Sequence, residues 1–264
     1  MIQKHLSTVL FLTLFSGFTF AQTQNLRDAS GRKQGYWEAT DRNGQLVYTG
    51  YFEDDKPVGV MKRYYPTGEL RVIMNHERHT PTVRVRFFRQ NGDPSAQGNY
   101  AGTLRDSVWL FYGSLTPTVS HRIEYAAGKQ HGKEQTFYPD GVLAEETLWN
   151  NGLKDGAWTR YFNHGQIKSS ATYIDDRLEG VYSVFYPDGK PMIEGFYHYN
   201  TPDGDWKRYD EDGDLVSTVR YARGKITNEE ELDAIEQEFF KKVTEQEGRI
   251  PEPTLEDLMR ENMR

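Results

Sequence analysis

Carboxylates and histidines are the first side chains whose types could do chemistry. Four carboxylates stand at one position of an internal repeat: Asp106, Asp155, Glu179 and Asp203. If each repeat spans two strands, neighbouring carboxylates lie roughly 9–10 Å apart, too far for one Ca²⁺ ion whose oxygen ligands sit about 2.4 Å away. His76 and His79 form the closest histidine pair, which favours a solvated loop over a ligand pair. We expect turn carboxylates, no metal site and no cofactor.

Covalent catalysis has no support in the sequence. The chain contains no cysteine, which excludes thiolate nucleophiles, disulfides and cysteine-based metal sites. Motifs of zinc peptidases, phosphate-binding loops and nucleophile elbows do not occur. We therefore expect no catalytic residue and predict that the protein is not an enzyme.

Aromatic side chains that recur at one repeat position are the candidates for binding. This aromatic ladder consists of Trp37, Trp109, Trp158, Tyr182 and Trp206. Stacked in successive repeats, its rings would lie in steps of roughly 9–10 Å. They could meet a protein surface or stack on the sugars of a glycan. Such ladders are more often packing than ligand platforms, which makes the glycan the alternative.

A repeat of about 24 residues indicates the elements that must position these side chains. Eight repeats open at Gly35, Gly59, Val83, Ser107, Gly132, Gly156, Gly180 and Gly204. Nine residues later a second glycine stands in seven of them: Gly44, Gly68, Gly92, Gly141, Gly165, Gly189 and Gly213. Preceded by residues such as Pro139 and Asp140, these glycines predict hairpin turns, because glycine adopts φ > 0 without strain.

Each repeat is expected to form one β-hairpin. The opening glycine would start the first strand, after a polar turn such as Lys154-Asp155. Aromatic residues stand two and five positions after that glycine, so both sheet faces should carry rings. Successive hairpins would add strands to one sheet. The sequence predicts an all-β fold, an elongated single-layer antiparallel meander of about eight repeats over residues 35–226, with a C-terminal helical cap.

The segments 156–167 and 204–215 follow the pattern Gly-x-Trp-x-x-Tyr-aromatic-x-x-Gly-x-Leu except at Ile167 and Asp210, and this pattern resembles the MORN repeat. The similarity is to the bacterial subtype labelled YwqK-type antitoxin repeats, and the lead-in from Asn25 to Trp37 resembles the usual first repeat. The resemblance covers residues 25 to about 226. It implies the hairpin-repeat fold and carries little information about function.

The third and fourth repeats, residues 80–131, depart most from this pattern. Val83 and Ser107 replace the opening glycine, and Gly113 and Thr116 disturb the turn beside one inserted residue. The insertion predicts a bulge or a lengthened loop. It is either harmless drift, which we favour, or a kink that shapes a binding site.

The first 21 residues have the form of a secretory signal peptide. Lys4 precedes an apolar run from Leu6 to Phe20, and small residues precede a cut after Ala21. An uncleaved anchor is the alternative, although the run is shorter than the roughly 20 apolar residues of a membrane span. We expect a periplasmic or extracellular protein with a lead-in over residues 22–34.

Residues 227–264 form a tail with helical periodicity. Thr227 to Glu230 fit a capping box, and one apolar stripe follows: Leu232, Ile235, Phe239 and Val243. A second short helix is expected from Thr254. The first helix either caps the last hairpin around Trp206, Tyr209 and Tyr221, which we favour, or docks a partner.

The distribution of charge along the chain limits the classes of partner that we expect. The tail holds 12 acidic and 5 basic side chains, against 27 and 26 in residues 22–226. A neutral body with an acidic tail lacks the basic surface that nucleic acids or anionic membranes require. We expect a non-catalytic scaffold for protein–protein interaction in the periplasm or cell envelope, with an envelope protein as partner. Binding of a glycan such as peptidoglycan is the alternative.

Overall fold

A computed structural model describes residues 24–246, and for residues 239, 240 and 242–246 it describes the backbone alone. The expected signal peptide and the expected second helix from Thr254 lie outside the described residues. The described chain divides into two compact units, residues 24–80 and residues 81–246. Each is an antiparallel meander in which strands pair with their neighbours in the chain.

The first unit contains five strands. They are β1 (Leu26–Arg27), β2 (Lys33–Thr40), β3 (Leu46–Glu53), β4 (Lys56–Tyr64) and β5 (Leu70–His76). Each strand pairs antiparallel with the next. The lead-in thus contributes a short strand, β1, ahead of the first expected hairpin.

The second unit contains fourteen strands and one helix. The strands before the tail are β6 (Thr82–Phe88), β7 (Pro94–Ala101), β8 (Leu104–Tyr112), β9 (Val119–Ala126), β10 (Lys129–Phe137), β11 (Leu143–Asn150), β12 (Leu153–Tyr161), β13 (Ile167–Ile174), β14 (Arg177–Leu178), β15 (Gly180–Phe185), β16 (Pro191–His198), β17 (Thr201–Tyr209) and β18 (Leu215–Ala222). The chain ends with β19 (Lys225–Ile226) and α1 (Glu229–Gln246). β14 and β15 both pair with β13, on either side of Glu179. The expected meander of hairpins with a C-terminal helix is confirmed within each unit.

The turn glycines form the hairpin turns that the sequence predicts. In the β10–β11 turn, the Gly141 N–H donates to the Tyr138 carbonyl at 2.9 Å, and the Tyr138 N–H donates to the Val142 carbonyl at 2.8 Å. Gly141 has a φ of 89°, and the other six predicted turn glycines also have positive φ. The conformation favours glycine because a Cβ would be strained there.

Five of the six opening glycines differ from the prediction, because they lie inside strands, whereas Gly180 begins β15 as expected. The preceding turn is a tight pair such as Asn151 and Gly152, both with positive φ, as a type I′ hairpin requires. Gly156 follows within β12, with a φ of 116°, where the register against β11 shifts. The opening glycine is therefore a bulge that twists the strand. Three of the predicted turn carboxylates, Asp106, Asp155 and Asp203, accordingly lie in strands β8, β12 and β17, and Glu179 lies between β14 and β15.

Both sheet faces carry aromatic rings, as expected from their spacing. Trp206 contacts Tyr197, with the ring centroids 5.0 Å apart. Tyr209, three residues later, donates its hydroxyl to Glu194 at 3.2 Å. Glu194 and Gly195 are adjacent in β16 and therefore face opposite sides of the sheet, and the Trp206 ring lies over Gly195. The two aromatic positions therefore lie on opposite faces of the strands.

The inserted residue in the fourth repeat lengthens the turn between β8 and β9. The Gly113 N–H donates to the Thr118 carbonyl, five residues on, whereas Tyr138 reaches Val142, four residues on, in the regular turn. Leu115 at the tip is 98% exposed. The alternative of a lengthened loop is therefore the one that the structure shows.

The helix α1 begins one residue later than the capping box from Thr227 to Glu230 predicts, because Asn228 caps it and contacts Glu231, and its start covers the edge of β18. Asn228 is buried and hydrogen-bonds to the backbone of Arg220 and Thr218. Leu232 is half-buried, but Ile235 is 44% exposed, so the apolar stripe is not buried at that position. The polar contacts of Asn228, at the start of the helix, therefore hold α1 against β18. Among the described residues, no helix has the length and apolar character needed to cross a membrane.

Candidate functional site

A band of half-buried aromatic rings lies on one face of the second unit. This aromatic band consists of Trp158, Tyr173, Tyr182, Tyr197, Trp206 and Tyr221. The register places it there, because Tyr173 pairs with Gly156, two residues before Trp158. Tyr197 pairs with Gly180 and Tyr221 with Gly204 in the same way. Directly paired residues, and residues two apart on a strand, share a face.

The rings of the band pack against one another. Tyr182 stacks on Trp206 with centroids 5.8 Å apart and an interplanar angle of 27°. Tyr197 and Tyr221 meet Trp206 edge-on, at 5.0 and 6.1 Å. Tyr173 meets Trp158 edge-on at 6.5 Å. Offset stacks and edge contacts are the favourable geometries of aromatic pairs, so the band holds its shape without a second layer.

Small residues on the second strand of each hairpin make room for the rings. A Cβ at Gly195 would lie 2.3 Å from Cδ2 of Trp206, so the indole needs glycine beneath it. Ala171, opposite Trp158, is buried as well. The indoles thereby lie low on the sheet, and the tyrosine rings stand beside them.

Four tyrosine hydroxyls of the band make no hydrogen bond to another described residue, namely those of Tyr173, Tyr182, Tyr197 and Tyr221. Other tyrosines of the unit use theirs, as Tyr138 does in donating to the Tyr161 carbonyl at 2.8 Å. Burial raises the pKa of both the Tyr173 and the Tyr197 hydroxyl. The hydroxyls of Tyr173 and Tyr197 are therefore kept in the neutral form that can donate a hydrogen bond to a ligand.

Cationic side chains accompany the band. One carboxylate also contacts it, since Glu145 Oε1 accepts the Trp158 Nε1–H at 3.0 Å, and this carboxylate is paired with Arg160 at 3.5 Å. The ammonium of Lys154 stands 5.1 Å from the Tyr173 ring centroid. Arg208 lies two residues from Trp206 on the same strand, hence on the same face, and is exposed. Glu194 faces Tyr209 on the opposite face, and Asp205 alternates with Trp206 to that face as well. The band is thus aromatic with a positive rim.

Two members of the predicted aromatic ladder lie in packed interiors. Trp109 is 1% exposed and sits between Phe87 and Phe111, with its Nε1–H donating to the Asn99 carbonyl at 2.9 Å. Trp37, in the first unit, is 9% exposed and packs with Phe52 and Met61. The structure brings together Tyr182 and Trp206 in direct contact, and places Trp158 at the start of the same band.

The tyrosines at 173, 197 and 221 were missed as candidate binding residues. They stand 17 residues after the opening glycines Gly156, Gly180 and Gly204. That regular aromatic position was the signal that could have found them. From the sequence alone, this aromatic position indicates only the end of the second strand. The pairing across the hairpin is needed to place it beside the tryptophans.

Two of the four recurring carboxylates accept hydrogen bonds from the backbone of a neighbouring turn. Glu179 Oε2 accepts the Tyr199 N–H at 2.8 Å, and Asp203 Oδ1 accepts the Arg223 N–H at 3.0 Å. Both therefore hold the neighbouring turn. Among the residues whose side chains are described, no three histidine, aspartate or glutamate side chains group in a way that could hold a metal ion.

Comparison with known proteins identifies the repeat itself. No curated protein matches the sequence at a significant level. Each match to a family falls on one hairpin of the two meanders, and together the matches include every residue of the aromatic band. Five segments of the chain, residues 57–77, 130–151, 154–175, 178–199 and 202–223, match the MORN repeat variant.

Proposed function

We propose that this protein is a non-catalytic scaffold that binds another protein through the aromatic band. MORN repeats are a non-enzymatic repeat type, generally associated with scaffolds that bind proteins or ligands. The observation that carries the proposal is a row of six half-buried rings on one sheet face, of which Tyr182, Tyr197, Trp206 and Tyr221 are in direct contact. Tyrosine and tryptophan are enriched in protein interfaces, because they offer large apolar area and a polar tip.

Incomplete burial distinguishes the band from ordinary packing. Trp109 shows what this repeat position becomes when packing is complete, since neighbouring rings enclose it and it is 1% exposed. Trp206 occupies the same position yet stays half-exposed. Exposed contiguous aromatic surface of this kind marks interaction sites on soluble proteins.

A protein partner suits the band better than a glycan. Stacking on sugars needs ring faces that are open to solvent. Here Tyr182 turns its face to Trp206, and Tyr197 directs its edge to the same indole. The rings therefore present edges and hydroxyls, which suit peptide groups and apolar side chains.

The cellular compartment of the protein is part of the same proposal. The proposed site of action is the periplasm or cell envelope, and its support is the signal-peptide pattern over residues 1–21. The bacterial antitoxin-repeat subtype stays a prediction from the sequence, and no antitoxin role enters the proposal. Cell fractionation with an antibody to the full chain tests the compartment.

Photo-crosslinking in intact cells tests the binding face. Tyr197 is replaced by p-benzoylphenylalanine, and Phe196, its 40% exposed neighbour on the opposite face, is replaced in a matched control. We expect irradiation to join one protein species to position 197 and not to position 196. Equal crosslinking from both positions, or retention of the protein on purified peptidoglycan with no protein crosslink at 197, would contradict the proposal.

A further inference from the structure

We propose that the aromatic band takes an acidic, proline-rich segment in the polyproline II conformation, with one turn of the ligand for each repeat. This inference rests on the proposed function and names the chemistry of the partner. Three independent features of the band support it: its period, its free hydroxyls and its charge.

The period of the band matches that of a polyproline II helix. Successive band tyrosines, such as Tyr173 and Tyr197, are 24 residues and two strands apart, which corresponds to roughly 9.4–9.8 Å across the sheet. A polyproline II helix advances about 9.3 Å in each three-residue turn. An extended β-strand repeats every 6.6–6.8 Å or so, out of step with the repeats. A segment lying across the strands therefore presents the same side of its helix to every repeat.

The hydroxyls of the band suit a backbone that has no internal hydrogen bonds. In polyproline II every carbonyl is exposed, and proline has no N–H to donate. Tyr173, Tyr197 and Tyr221 supply one hydroxyl in each repeat, and none has a hydrogen-bond partner among the described residues. An α-helical ligand would offer no free carbonyls along its length, since each accepts a bond from its own chain.

Charge selects an acidic ligand over a basic one. Lys154 stands over the Tyr173 ring, and Arg208 flanks Trp206. Neither has a carboxylate partner among the described side chains. Glu145 contacts the band through the Trp158 Nε1–H at 3.0 Å, but its charge is offset by Arg160 at 3.5 Å, so Lys154 and Arg208 leave the rim with excess positive charge. Glu194, the carboxylate nearest the centre of the band in sequence, faces Tyr209 on the other side of the sheet. Glutamates placed at every third ligand residue would meet this positive rim.

Fluorescence anisotropy with defined peptides tests the inference on the full chain. The probe is a labelled (Pro-Pro-Glu)4 peptide, whose twelve residues span about 37 Å, enough for three repeats. The first control, (Pro-Pro-Lys)4, reverses the charge, and the second, (Gly-Ser-Glu)4, keeps the charge without the conformation. We expect saturable binding of the first peptide, and at least about tenfold weaker binding of both controls. Equal binding of (Gly-Ser-Glu)4, or no binding of any peptide, overturns the inference.

A matched pair of hydroxyl deletions locates the site. Tyr197→Phe removes a free hydroxyl of the band, and we expect it to weaken probe binding about fivefold, the effect of one hydrogen bond. Tyr209→Phe removes a hydroxyl on the opposite face and should leave binding unchanged. Equal effects overturn the placement on the band. If crosslinks from position 197 capture a protein while the probe fails to bind, the proposed function stands and this inference falls.

Discussion

The side-chain amide of Asn228 occupies the place of a neighbouring strand beside Arg220. Its Oδ1 accepts the Arg220 N–H at 2.8 Å, and its Nδ2 donates to the Thr218 carbonyl, also at 2.8 Å. These are the groups that the outer edge of β18 would otherwise present to another strand. Thr227 adds a backbone bond to the Arg220 carbonyl at 2.8 Å. One buried asparagine therefore ends the sheet.

Removing this amide should expose the edge. We expect Asn228→Ala to lower the free energy of unfolding by about 1–3 kcal/mol, because two backbone groups lose their partner. It should also promote association at high concentration, since an open edge pairs with other strands. Thermal melts and light scattering measure the two effects. Asn43→Ala, in an exposed turn, is the control; a monomer as stable as that control would contradict the role of Asn228.

Backbone conformation alone should decide the effect of a change at Gly165. Its φ is 88°, and no atom lies within 4 Å of the place that a Cβ would take. We expect Gly165→Val to destabilise by about 1–3 kcal/mol, because a β-branched residue is strained there. Gly165→Asn should have a smaller effect, since asparagine tolerates this conformation. Urea denaturation compares the two variants, and equal losses would show that the turn conformation is not the cause.

Ser107 holds a strained backbone at a position where six of the eight repeats have glycine. Its φ is 59°, unusual for a residue with a side chain. Ser107→Gly should therefore raise the free energy of unfolding by up to about 1 kcal/mol, the relief of strain exceeding the greater entropy of unfolded glycine. Ser217→Gly, the same change at a paired strand position, should destabilise the protein. Denaturant midpoints that shift in the same direction for both would refute this account.

Two glycines without positive φ differ in what a methyl group would meet. At Gly195 a Cβ would fall 2.3 Å from the rigid Trp206 ring, and at Gly50 it would lie 3.1 Å from the flexible Met61 side chain. We expect Gly195→Ala to destabilise by about 1–3 kcal/mol and to shift tryptophan fluorescence, because the indole must move. Gly50→Ala should have the smaller effect. Calorimetry compares the loss of stability in the two variants. A larger loss for Gly50→Ala would show that the indole of Trp206 is not fixed by its neighbours.

Glu179 is a carboxylate whose ionised form the fold stabilises. The Tyr199 N–H, and then the His198 side chain, lower its pKa below the ordinary value for glutamate. The interaction should stabilise the fold fully above the ordinary pKa of glutamate and be lost as the pH falls through the lower, folded-state value. NMR titration of the Glu179 carboxyl measures this. In His198→Ala the pKa should stay lowered, because the backbone donor is the larger cause; a return to the ordinary value would contradict that ranking.

Local chemistry made most of the fold predictable. Gly141 after Pro139 and Asp140 predicts a hairpin turn, because few residues adopt its backbone angles. The inserted residue before Thr118 predicted the longer turn between β8 and β9 for a similar reason. The position of Gly156 was harder, since a glycine at a strand bulge and one at a strand start look alike in sequence.

The candidate site was less predictable, because accessibility depends on neighbours from other strands. Trp109 and Trp206 hold the same repeat position and both lie against a glycine, Gly98 and Gly195. Only Trp109 also gains Phe87 and Phe111 as enclosing rings. The pairing that joins Tyr197 to the band emerges only from the strand register.

Neighbour-only pairing in the second unit has a mechanical consequence. In the part of the chain that the structure describes, the strands from β6 to β18 make their main contacts with the strands beside them in the meander. Because each hairpin depends only on its neighbours, such an array can unfold one hairpin at a time. Tension on its C-terminal end would peel hairpins one after another once α1 and β19 had detached, each releasing 24 residues, or roughly 80 Å of extended chain. The unit would act as an extensible tether that unfolds one hairpin at a time under tension and refolds when the tension falls.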